Sequence, residues 1–99
     1  MTIISSQRYL DTATVNEKMA ELAGETKITL ACWDAGEIDG ERMAVLYDGH
    51  HRLAAAEEIG ISVEFDVGGH PEGLTGLDLL DTCWIDSDWY DVSDGLPIW

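Results

Sequence analysis

Apolar positions change their period along the chain, and the changes mark the elements. Ile3-Ile4 is a short apolar pair that predicts an edge strand. Thr14-Val15-Asn16-Glu17 has the form of a capping box, with Thr at the cap and Glu three residues on. Val15, Met19 and Leu22 then recur at helical spacing and Gly24 closes the segment, so a helix is predicted from about Val15 to Ala23. Ile28 to Trp33 is β-rich and reads as a strand, residues 34–40 as a turn rich in Asp and Gly, and Arg42 to Tyr47 as the return strand of a hairpin.

Asp48-Gly49 breaks the pattern, and His50 to Ile59 follows as an alanine-rich helix that Gly60 ends. Leu53, Ala54, Ala56 and Ile59 are expected on its buried face. Ser62 to Val67 alternates polar and apolar and reads as a strand. Residues 68–73 read as a loop, and Thr75 to Asp78 repeats the capping spacing weakly, predicting a short helix through Leu80. The stretch from Asp81 to Trp99 interleaves acids with aromatics. Together these elements predict one α+β (α/β) domain over residues 1–99, a small mixed sheet with packed helices.

Composition narrows the function. Hydrophobic residues make up 45% of the chain, as a folded core requires. Twenty acids face five bases, a formal net charge of −15, and no Lys or Arg follows Arg52. Such a surface repels a phosphate backbone, so direct nonspecific DNA binding is not expected. Cys32 and Cys83 lie far apart without a CxxC pattern and read as reduced core thiols. The opening residues lack a basic stretch followed by an apolar run, and no apolar stretch approaches the roughly 20 residues a membrane helix needs. A cytoplasmic location and no membrane partner are the expectation.

The chemistry concentrates where the second hairpin strand ends. A turn on Gly49 leads at once into a helix, whose first N–H groups and dipole favour an anion. Gly49 permits close approach of a ligand to the backbone. His50, His51 and Arg52 add donors in the same turn, and Arg52 can clamp a phosphate through two parallel bonds. Asp48 is placed to cap the helix, to hold a metal ion or to orient a reacting group. The candidate ligand contacts are therefore Gly49, His50, His51 and Arg52. Asp48, His50 and His51 are the candidates for chemistry, and Asp48 is the candidate for Mg²⁺ held jointly with the oxygens of a phosphate ligand. Adjacent histidines on a helix diverge by about 100°, which disfavours a zinc site built from His50, His51 and His70.

The stretch from Asp48 to Ala56, followed by Gly60-Ile61, resembles the signature of the ParB/sulfiredoxin superfamily. Its members carry a Gly-x-x-Arg turn opening a helix that binds nucleotide phosphates. The resemblance spans residues 1–67, with the specific part from Tyr47 to Ile61, and leaves 68–99 as an acidic aromatic extension. It implies a ParB-like nucleotide-binding domain for ATP, ADP or CTP, with phosphoryl transfer or hydrolysis as the implied activity. Sulfiredoxins place a catalytic cysteine where His50 stands here, and partitioning proteins need further DNA-binding and dimerisation elements. ADP-dependent free serine kinases share the Asp-Gly-His-His-Arg string but use a glutamate before the first helix, where this chain has Gln7, Arg8 and Asp11. The fourth relative, labelled ParB-like nuclease, occurs in many short phage and plasmid proteins.

The acidic tail keeps a different class open. It could present a surface to a protein partner, as an inhibitor or as a mimic of DNA, without any enzymatic role. If the tail only completes the core, Trp84, Trp89 and Trp99 should be largely buried. The acids between them should face water, forming a negative face remote from the Arg52 turn.

Overall fold

The computed structural model describes residues 1–99. The elements run β1 (Thr2–Ser5), α1 (Thr12–Leu22), β2 (Lys27–Ile38), β3 (Glu41–Leu46), α2 (His50–Ile59), β4 (Ser62–Gly68), α3 (Gly76–Cys83) and β5 (Tyr90–Asp91). They form an α+β fold around a mixed five-stranded sheet in the order β4-β2-β3-β1-β5. β2 and β3 make the hairpin, β1 lies parallel to β3, β4 lies parallel to β2, and β5 closes antiparallel on β1. β1 is thus paired on both sides rather than an edge strand, because the two-residue β5 covers its free flank.

β2 is twice as long as the six residues Ile28 to Trp33. The sequence marks residues 34–40 as a turn, yet the strand runs on to Ile38 through a bulge between Asp34 and Gly36. Gly36 takes the left-handed conformation the bulge requires, and its N–H donates to Asp34 Oδ1 at 2.8 Å. The extra residue flips the alternation. Ile28, Leu30 and Cys32 face one side of the sheet, and Ala35 and Ile38 face the other. The true turn is only Asp39-Gly40, with φ of 53° and 80°, as a type I′ hairpin demands.

Each face of the sheet carries its own core. Under α1 and α2 lie Leu22, Ile28, Leu30, Cys32, Ala44, Leu46, Ala55 and Ala56. Under α3 and the tail lie Ile4, Ala35, Ile38, Met43, Val45, Leu79 and Leu80. α1 begins three residues earlier than its Thr14 spacing implies, because Asp11 caps it and takes hydrogen bonds from the Ala13 N–H and the Thr14 hydroxyl. α2 spans the residues its sequence marks and ends on left-handed Gly60. Its buried face differs from expectation. His50, Ala55 and Ala56 are buried, Leu53 and Ala54 are half-buried, and Ile59 is exposed.

The tail departs most from expectation. Trp84 is 56% and Trp99 51% exposed, and Trp89 is half-buried. Leu79, Leu80, Ile4 and Val45 already fill that face, leaving the indoles to lie over it. Hydrogen bonds hold the tail instead. Asp86 and Ser87 donate their N–H groups to the Ser6 carbonyl, Val92 to Ile3, and Ile98 to Trp89.

Candidate functional site

The Asp48–Arg52 turn sits where β3 ends and α2 begins. Gly49 holds φ 88°, a left-handed value that favours glycine. A Cβ there would also stand 2.8 Å from Leu30 Cδ2, so the buried Leu30 would have to shift to admit a side chain. The Leu53 N–H bonds to the Gly49 carbonyl at 2.8 Å, which starts the helix. The N–H groups of His50, His51 and Arg52 precede that bond and have no protein acceptor. Asp48 does not cap them. Its Oδ1 accepts the Gly49 N–H at 2.8 Å, leaving Oδ2 toward solvent.

The two histidines tie elements together. His50 is only 6% exposed, and its Nε2 lies 2.6 Å from the buried Ser5 hydroxyl of β1. Ser5 Oγ in turn accepts the Gln7 N–H at 3.0 Å. Burial lowers the imidazole pKa below its ordinary value, the Asp48 carboxylate opposes it, His51 adds to the lowering, and Asp86 opposes it in turn. His50 is therefore neutral at pH 7. His51 Nε2 accepts the Asp11 N–H at 3.0 Å, which pins the start of α1 to the start of α2. With that nitrogen accepting, the ring carries its proton on Nδ1.

Arg52 is different. Lys18, Lys27 and Arg42 pair with carboxylates, and Arg8 donates to the Gly95 carbonyl at 2.7 Å. Of the five bases, Arg52 alone has neither an ion pair nor a hydrogen bond, although it is half-buried. Arg8 also stacks on the Tyr90 ring at 4.1 Å.

A cleft of about 450 Å³ opens beside the turn. Gln7 and Arg8 form one wall, the His50 and Leu53 side of α2 a second, and the tail from Tyr90 to Gly95 the third. Of the motif, only His50 reaches this cleft; Asp48, Gly49, His51 and Arg52 lie outside its lining. The acidic tail is therefore not remote from the turn. Asp94 lines the same cleft, and the Asp86 charge acts on His50. Sequence reasoning missed Arg8 and Tyr90 as cleft residues. Their only signal was that Arg8 is one of five bases in an acidic chain.

No group of three or more His, Cys, Asp or Glu side chains converges to cage a metal. Asp48 offers a single carboxylate. Cys32 is buried, and burial, reinforced by Asp66, raises its thiol pKa to about 11, so it stays protonated and unreactive. No helix is long and apolar enough to cross a membrane. Comparison of the chain with models of known families, with curated proteins and with solved structures finds no match.

Proposed function

We propose that this protein binds the phosphate group of a nucleotide at the Asp48–Arg52 turn. The observation that carries the reading is the combination of three unpaired N–H groups, on His50, His51 and Arg52, with the one unpartnered base of the chain in the same helical turn. Backbone donors and the helix dipole favour an anion there, and a guanidinium completes a bidentate clamp. The resemblance of Tyr47 to Ile61 to the ParB/sulfiredoxin turn supports the same ligand class. Mg²⁺ would arrive with the nucleotide, held mainly by phosphate oxygens and water, with Asp48 Oδ2 as the protein's contribution.

His50 Nε2 is committed to Ser5 and His51 Nε2 to the Asp11 N–H, so a proton passed between either ring and a bound ligand would have to use that ring's Nδ1. Calorimetric titration with ATP, ADP and CTP, with and without Mg²⁺, tests the proposal. Binding by the native chain and its loss in Arg52→Ala is the expected result. Equal heats for both proteins, or none with any nucleotide, would reject it.

A further inference from the structure

A second open groove lies on the opposite face of the sheet from α2, between α3, the β2–β3 turn and the tail. It holds about 610 Å³. Trp89, Trp99, Leu77 and Leu80 supply its apolar walls, and Leu77 stands 67% exposed with nothing covering it. Glu37, Asp39 and Asp81 supply three carboxylates, and no Lys or Arg lines it. Trp99 is held in place, since its indole N–H donates to Asp39 Oδ2 at 2.9 Å. That bond anchors the ring to the rigid type I′ turn, where Asp39 keeps φ 53°.

Aromatic rings flanked by carboxylates select cations. A ring face attracts a guanidinium or ammonium, and the carboxylates supply the opposite charge. The chain's net charge of −15 adds long-range attraction for the same ligand. The exposed Leu77 and the neighbouring Leu80 side of the groove extend the contact with apolar surface, which a lone small cation would leave wet. We propose that this groove docks a basic peptide segment of a partner protein. An Arg or Lys seats against Trp89 and Trp99 beside Asp39 and Asp81, and a neighbouring aliphatic side chain covers Leu77. The site is separate from the Asp48–Arg52 turn, and its occupancy is independent of any nucleotide.

A short peptide alternating Arg and Leu is the probe, with a Glu–Leu peptide and free argininamide as comparison arms. Tryptophan fluorescence reads binding, and amide and indole NMR shifts map it. The Arg–Leu peptide should bind and move the Leu77, Leu80 and Trp99 signals, and the Glu–Leu peptide should not. Trp99→Ala should weaken binding about tenfold, as loss of a central aromatic anchor does. Asp39→Asn with Asp81→Asn should weaken it several-fold at low salt, and less near 1 M salt, where the screening length falls to about 3 Å. Asn tolerates the left-handed position at 39, so the turn survives that change.

Four results would overturn the proposal. The native chain does not bind the peptide; Trp99→Ala binds as well as the native chain, leaving only diffuse charge attraction; argininamide binds as tightly as the peptide, making this a small-cation site; or the chain dimerises without peptide and Trp99→Ala abolishes the dimer, making a second copy the occupant.

Discussion

On one face of the sheet, Ala55 and Ala56 are fully buried and let α2 settle directly onto Leu30, Cys32 and Leu46. On the other face, Leu79 and Leu80 fill the space, Trp89 and Ile98 of the tail pack over them with the Ile98 N–H bonded to the Trp89 carbonyl, and Trp84 and Trp99 stay half in water. The first face depends on close packing, and the second on a small aliphatic core with a hydrogen-bonded cover. The difference decides where each face can bear chemistry. The packed face positions a rigid helix start whose first N–H groups are unpaired, and the covered face leaves aromatic surface available.

The largest effect expected from this contrast is within the second face. Leu79 is fully buried, so Leu79→Ala should cost about 3 kcal/mol through lost burial and a residual cavity. Trp99→Ala removes a larger side chain, yet should cost only about 1–2 kcal/mol because half of it is already wet. Urea unfolding of both variants measures the pair. Equal losses would mean that the tail is part of the core after all.

Two glycines at the ends of α2 probe how closely the first face is packed. Gly49 and Gly60 have similar positive φ, 88° and 78°, but a Cβ at 60 meets open space and one at 49 meets Leu30. Gly60→Ala should cost about 1 kcal/mol from backbone strain alone. Gly49→Ala should cost about 1–2 kcal/mol more, because the packed Leu30 must shift. At about 4–8 °C per kcal/mol for a domain of this size, thermal melts separate the two.

The legibility of the two faces in the sequence follows the same division. Helix α2 is readable because breaker, alanine run and closing glycine are all local. The length of β2 is not, since Asp34 and Gly36 carry turn chemistry that here serves a bulge inside a strand. Asp11 and Thr14 both fit the rule for the cap of α1, and the His51 bond that favours Asp11 joins positions far apart in sequence. The Ser5–His50 link is likewise invisible locally, with 45 positions separating its partners. Only the fold shows that both histidines serve docking, and that Arg52 alone among the bases is left unpaired.

A smaller, pH-dependent effect lies at the seam between β1 and α2. Burial lowers the His50 pKa in the folded state below its ordinary value of 6.5. The unfolded chain therefore takes up the proton first as pH falls. The stability due to neutral His50 is fully present above pH 6.5 and is lost as pH drops through the folded value. His50→Gln keeps a polar group near Ser5 but cannot titrate. The gap between the two melting temperatures should be constant above pH 6.5 and should shrink as pH falls below it. A constant gap at all pH values would show that His50 does not titrate differently on unfolding.

The smallest expected stability change belongs to Arg52→Ala, within about 0.5 kcal/mol, because the guanidinium has no partner to lose. A substitution that is silent in folding but decisive in binding is what a ligand clamp should give. The direct measurement is an NMR titration of the native chain and Arg52→Ala with ATP. It follows the backbone amides of His50, His51 and Arg52 in the native chain, and those of His50 and His51 in the variant. A phosphate seated at the helix start gives saturable downfield shifts at these amides in the native chain, with affinity weakened at least tenfold in Arg52→Ala. Shifts confined to other residues, or the same titration curve in both proteins, would contradict binding at this turn.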